Sequence, residues 1–330
     1  MRRALFIVVF IITFNIYAAV TSDNKVSADA GLTSWQVPWE NTRPRDPMLD
    51  SKGNVWFCGQ QGNYIARLNP TTGEFTRFTL PDASHPHNLI IDTRDTVWYS
   101  GNRNGHIGAL NPHTGEITQY PLPKSQAGDP HTLVFDSKGN IWFTVQWGNI
   151  IGYLDTASGE FTLYDVPIER ARPYGIKVDK NDTLWIVLLG TNHLATIKNK
   201  TLALITIPDE TARPRRLEID KQGDIWYADY AGGKLGFYSP ASGEFSSWTL
   251  PTGSKSFPYA TALDGDGHIW LSDTSAIPNK LIMFNPVSRV FEAVLDVPFG
   301  GHIRHTYYAP ESGEIWFGTD TGYIGKLSVN

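Results

Sequence analysis

The sequence predicts an all-β fold: a seven-bladed β-propeller with four antiparallel strands per blade, its ring closed by an N-terminal strand. Three observations predict it. Trp56, Trp98, Trp142, Trp185, Trp226, Trp270 and Trp316 are spaced by 42, 44, 43, 41, 44 and 46 residues. Around each lie four short runs of β-forming residues, separated by Gly, Asn and Asp turn signals. A period in the low forties with four strands per unit is that of a propeller blade. The composition agrees, since 11 Trp against 3 Met is an aromatic excess of the β type. Length alone, 330 residues, would suggest two domains at ~150 residues each. Seven such units nearly fill the chain, so a single domain over residues 31–330 is expected.

Taken in order, the chain opens with Arg2 and Arg3 before an apolar run from Ala4 to about Val20, broken by Thr13 and Asn15. A short basic stretch and a short apolar core read as a secretory signal peptide over residues 1–30, with an uncleaved N-terminal anchor as the alternative. Ala28-Asp29-Ala30 fits a small-x-small cleavage site. Either reading exports the remainder, to the periplasm or out of the cell. No later run is long and apolar enough to span a bilayer. Thr33-Ser34-Trp35-Gln36-Val37-Pro38 then resembles an outermost strand such as Ser247-Trp248-Thr249-Leu250-Pro251. The seventh unit ends at Leu327-Ser328-Val329-Asn330 without such a strand. An N-terminal strand completing that blade would join the ends of the ring and cover an open edge.

The third unit shows the blade pattern best. Pro130-His131 opens the innermost strand, Leu133-Val134-Phe135-Asp136 continues it, and Gly139-Asn140-Ile141-Trp142-Phe143 forms the second. Ile151-Gly152-Tyr153-Leu154 and Ser158-Gly159-Glu160-Phe161-Thr162 mark the third and fourth. Asp50, Asp92, Asp136, Asp179, Asp220 and Asp264 recur six residues before the Trp. They read as turn residues bonding their own backbone, not as metal ligands. The Trp-Phe and Trp-Tyr pairs read as packing between blades.

Charge and cysteine usage narrow the function. The net charge is −5 with no basic block, so a duplex nucleic-acid partner is not expected. The single Cys58 excludes an intrachain disulfide and a cysteine zinc site. A monomer is expected. Strand alternation brings the start of each innermost strand and the residues after each Trp to one mouth of the channel. Eleven residues before each Trp stand Arg45, His87, His131, Tyr174, Arg215, Tyr259 and His305, six of them behind a proline. Two residues further upstream stand Arg43, His85, Asp129, Arg172, Arg213, Phe257 and Ile303. Gln146, Trp147, Asp229, Tyr230, Asp273 and Asp320 follow the Trp strands. Together they predict a cationic funnel on an acidic protein, suited to an anionic or ester-rich small molecule or peptide. Arg45, Arg215 and Arg304 are the candidates for gripping a carboxylate, and Tyr174, Tyr259 and Trp147 for stacking.

The blade motif resembles that of the virginiamycin B (streptogramin B) lyases over about residues 35–330. The likeness rests on Pro-His before the inner strand, Gly-Asn-Ile-Trp-Phe-Thr in the middle, Ile-Gly after it and a Leu-Pro ending. The resemblance implies a seven-bladed propeller that opens a cyclic depsipeptide at its ester by elimination, with Mg²⁺ bound. It also implies a Pro-His in one blade, then an acid-Pro-His and a later Glu in the next. Matched by motif, these are His87, then Asp129 and His131, with Gln146 in the place of the Glu. On this match His87, His131 and Asp129 carry the catalysis, and Asp129 and Gln146 hold the metal. Matched by blade order, they are Tyr259, Ile303, His305 and Asp320. Two other functions remain open: a lactone hydrolase built on a calcium site, and a non-catalytic propeller that binds a ligand or protein.

Overall fold

The structure, a computed structural model, describes residues 20–21, 25–28, 31–81, 83–123 and 128–329. The described residues form thirty strands in seven antiparallel sheets and contain no helix. Each sheet is a blade running from an innermost strand at the channel to an outermost strand at the rim. In the third blade these are Pro130–Phe135, Ile141–Val145, Ile150–Leu154 and Phe161–Asp165. The N-terminal strand Leu32–Gln36 is the fourth strand of the seventh blade. It pairs antiparallel with Tyr323–Ser328, from Leu32 opposite Leu327 to Gln36 opposite Tyr323. The expected ring closure is therefore present, and Trp35 stacks on Trp316 at 5.5 Å to fix it. The expected targeting segment, residues 1–30, lies mostly outside the described residues. Within it Val20–Thr21 pairs with the outer strand of the first blade, and Lys25–Ala28 pairs with Leu32–Gln36.

Apolar residues of each blade pack on the next. Trp56, Cys58 and Ile65 of the first blade, for example, form one cluster with Leu89, Val97 and Tyr99 of the second. Trp56, Phe57, Tyr99 and Phe143 are fully buried. The recurrent Asp does more than close its turn. In the first blade Asp50 Oδ1 accepts the backbone N–H groups of Lys52 and Asn54 at 3.0 and 2.9 Å, and Oδ2 accepts the Trp56 indole N–H at 2.9 Å. The same Asp-to-indole bond recurs in the second, fourth, fifth and sixth blades. The six-residue interval thus satisfies a buried donor as well as making a turn. In the seventh blade Pro310 stands at that position, and the buried Trp316 indole N–H has no hydrogen-bond partner.

One irregularity positions the site. Every innermost strand carries a β-bulge near its start. In the second blade Pro86 pairs with Gly101 and Leu89 with Tyr99, so His87 and Asn88 together oppose Ser100. The shift falls at the same place in the third to seventh blades, and one residue later in the first, after Arg45. A bulge sets aside the strict in–out alternation of a strand and re-aims side chains. The bulges bring a second successive inner-strand side chain to the channel in several blades, Asn88, Thr132, Arg216 and His305 among them, where alternation would have admitted one.

Candidate functional site

The upper layer is Arg45, which stands just before the first blade's bulge, with the bulge residues His87, His131, Tyr174, Arg215, Tyr259 and Arg304. Six of the seven are those predicted from the Trp spacing. In the seventh blade Ile303 takes the register of the prolines, opposite Thr319, so Arg304 and not His305 occupies the ring. The cause is one extra residue in the next turn, between Ala309 and Glu314. His305 moves down to the lower layer.

The upper layer packs into a plug. The His87 and His131 rings lie 3.7 Å apart, and His131 lies 4.1 Å from Tyr174. The Tyr174 and Tyr259 hydroxyls bond each other across the channel, from the fourth blade to the sixth. The Arg215 guanidinium lies 3.5 Å from the Tyr230 ring centroid and 4.5 Å from that of Tyr259. Arg304 also approaches Tyr259, at 5.5 Å. Such cation–π contacts satisfy guanidinium charge without neutralising it. Arg45 donates from Nη1 to Gln60 Oε1 at 3.2 Å. His87, His131, Tyr174, Tyr259 and Arg45 are all buried. The predicted open funnel is therefore shallower than the strand starts suggest, and its floor is this ring.

The lower layer was not predicted. It comprises Asp46, Asn88, Thr132, Gly175, Arg216, Ala260 and His305. Asp46 is 1% exposed and faces two guanidiniums, Arg45 Nε at 3.8 Å and Arg216 Nη2 at 3.6 Å. It also accepts the Asn88 amide at 2.7 Å. Arg216 donates from Nη1 to Thr132 Oγ1 at 3.2 Å, so it ties the fifth blade to the third and the first. Gly175 lets the innermost strands of the fourth and fifth blades approach closely, since a Cβ there would stand 2.7 Å from the Arg215 carbonyl oxygen. The bulge itself was hidden in the sequence, so nothing pointed to a second layer. The one signal for Asp46 was its place directly before Pro47, which breaks the pattern of the other strand starts.

Electrostatics follow from burial and crowding. Burial, together with Arg45 and Arg216, holds His87 and His131 far below the usual histidine range, so both are neutral imidazoles. His131 Nδ1 lies 2.9 Å from Thr132 Oγ1. Burial and Arg216 push His305 down to about 3, against the opposing pull of Asp46. Burial would raise the Asp46 carboxyl, but His305, Arg216, Arg45 and the Asn88 amide outweigh it and lower it. Burial would likewise raise the Tyr259 phenol, but Arg215, Arg45, Arg304 and the Tyr174 hydroxyl bring it down to about 8. Tyr174 moves upward, by burial and by its neighbour Tyr259.

Above the ring lies the loop rim. Trp147 is 67% exposed, with the Arg172 guanidinium 4.2 Å over its ring. Tyr230 stacks on Phe257 at 4.9 Å. Asp320 receives Arg304 at 2.7 Å and Arg43 at 3.2 Å. Asp129 accepts the backbone N–H groups of Trp147 and Gly148 at 2.8 and 3.1 Å, so it fixes the loop that carries Trp147. Asp229 and Asp273 hold rim loops in the same way. These donors do not fit a magnesium ion. Both Asp129 oxygens are used by backbone N–H groups, Asp320 is held by two arginines, and Gln146 offers a neutral oxygen only. Among the described residues no three His, Cys, Asp or Glu side chains converge as a metal would require.

The chain matches the virginiamycin B lyase family over residues 16–279. No curated protein matches it. Among solved structures, selenomethionine-substituted virginiamycin B lyase from Staphylococcus aureus superposes with a TM-score of 0.82 at 23% identity, covering 91% of this chain and 99% of that one. A streptogramin B lyase structure gives 0.81 at 24% identity, covering 92% and 100%. The extracellular domain of a putative hybrid two component system from B. thetaiotaomicron gives 0.72 at 16%, covering 90% of this chain and 43% of that one. At these identities the structural likeness is one of fold.

Proposed function

The chain belongs to the virginiamycin B lyase family, and from that premise we propose that it is an exported carbon–oxygen lyase that opens an ester of an anionic or peptide-like substrate by elimination. The observation that carries this reading is the neutral His87–His131 pair, 3.7 Å apart, set among Arg45, Arg215 and Arg304. Elimination breaks a C–H bond beside a carbonyl and a C–O bond next to it, and forms a C=C bond; the ester leaves as a carboxylate. A neutral imidazole in the ring accepts the proton, which a histidine held protonated could not do. The arginines stabilise the enolate-like charge and then the departing carboxylate, and their fixed positions supply this without reorganisation. Asp46 offsets part of their charge from below. Asp129 contributes by holding the Trp147 loop, and Trp147, Tyr230 and Phe257 offer faces to the apolar parts of a substrate.

The carboxylates nearest the ring, Asp129 and Asp320, are already engaged by backbone N–H groups and by arginines. The test uses His87→Ala and His131→Ala against the wild type, assayed with a cyclic depsipeptide closed by a threonyl ester. Loss of ring opening in both variants, with unchanged melting temperatures, is the expected result. Full activity in both would remove the histidine pair from the chemistry.

A further inference from the structure

Below the plug the channel opens into a separate cavity of about 310 Å³. None of the upper-ring side chains lines it. Its walls are the next residues of the inner strands. Met48, Leu89, Leu133, Ile176 and Leu217 form an apolar belt, and Asn88, Thr132, Arg216 and His305 form the ceiling. The Lys177–Glu218 pair, 2.9 Å apart, with Tyr307 and Tyr308, lines its lower part, toward the face that bears the Asp turns.

The belt residues pack between blades and also turn an apolar wall to the cavity. The ceiling also carries an underused cation: Arg216 is 4% exposed, yet its Nε and Nη2 have no hydrogen-bond partner, and its ion pair with Asp46 is long at 3.6 Å. A guanidinium has five donors in a planar fork, suited to a carboxylate. Among the charged groups that line it, Arg216 and Lys177 stand against Glu218, while His305 is neutral, so the balance is positive. An apolar wall with one convergent cationic group is the usual make-up of a small-molecule pocket.

We propose that this cavity is a second ligand compartment, distinct from the rim site, that takes a monocarboxylate with a short apolar body, its carboxylate toward Arg216 and its chain along the leucine belt. At ~30 Å³ per water the volume holds about ten waters, which matches a chain of octanoate length. This inference does not depend on the lyase reading.

The test is calorimetric titration of the full chain with octanoate, 1-octanol and octylammonium. Octanoate is expected to bind one to one, and at least about tenfold more tightly than octylammonium. Leu217→Phe, which fills the cavity, is expected to abolish binding, and Arg304→Ala, in the upper ring, to leave it unchanged. Should Leu217→Phe fail to fold, Leu133→Phe fills the space from another blade, and the comparison of head groups on the wild type needs no variant. Equal binding of octylammonium, no octanoate binding at millimolar concentration, or loss of binding in Arg304→Ala with retention in Leu217→Phe would each overturn the proposal. The last outcome would place the ligand in the funnel.

Discussion

Replacing Asp46 by Asn removes one charge from the centre of the ring and little else. Asn tolerates the left-handed backbone that Asp46 adopts at φ 48°, and it keeps a partner for Asn88. What is lost is the counter-charge to Arg45 and Arg216, both 5% exposed or less. Breaking a buried charge pair by removing one partner costs about 3–5 kcal/mol, because the remaining charge stays buried. An unfolding entropy of ~2.1 cal/mol/K per residue over about 300 ordered residues is roughly 0.6 kcal/mol/K, so the expected fall in Tm is about 5–8 °C. The sign of the pH dependence follows from the lowered folded-state value of the Asp46 carboxyl. Its contribution is complete above the unfolded carboxylate value of about 4, and is lost as pH falls through the lower folded value. The gap in Tm between wild type and Asp46→Asn should therefore be full at pH 7 and close in acid. Adding Arg216→Met to Asp46→Asn should restore part of the loss, since the two residues share one interaction. Scanning calorimetry at several pH values reads all of this. An unchanged Tm at pH 7, or a gap that persists in acid, would refute the view of Asp46 as the counter-charge of the plug.

Three further outcomes are expected. Trp35→Ala should lower stability by about 3–5 kcal/mol, because Trp35 is 1% exposed and stacked on Trp316; a wild-type melting temperature would contradict closure of the ring by the N-terminal strand. The ultraviolet difference spectrum should show one phenolate forming near pH 8 in the folded protein, absent in Tyr259→Phe. Because the folded value lies below the unfolded one of about 10, Tyr259 should add stability as pH rises from 8 to 10, and a spectrum with no ionisation below pH 9 would count against the three-arginine environment. Arg215→Ala should weaken binding of an anionic ligand at the rim and leave Tm within a few degrees; equal loss of both would make Arg215 structural.

The seven Trp and the six Asp were legible because their spacing is set by strand length and turn geometry, which sequence carries directly. Ring closure was legible because Ser34-Trp35 repeats the outer-strand pattern of Ser247-Trp248 and the last unit lacks that strand. The ring residues were found by counting back from each Trp, and counting misplaced one of them. The seventh blade has an extra residue in its turn, so the count reached His305 where the fold puts Arg304. Pro310 in place of the recurrent Asp was the visible sign of that insertion. The bulges were not legible, because a bulged strand and a regular one share the same β-forming residues. The lower layer followed from them: strict alternation would put Asn88 and Arg216 on the opposite strand face, and the register shift turns them to the channel.

The central claim is that the ring supports elimination, and the oxygen atoms of the product test it most directly. The wild-type protein is incubated with a cyclic depsipeptide closed by a threonyl ester, in water enriched in oxygen-18, and the opened product is weighed by mass spectrometry. Elimination predicts a linear product of unchanged mass that contains a new C=C bond and no label. A product heavier by one labelled water, with the label in the new carboxylate, would show hydrolysis and contradict the account.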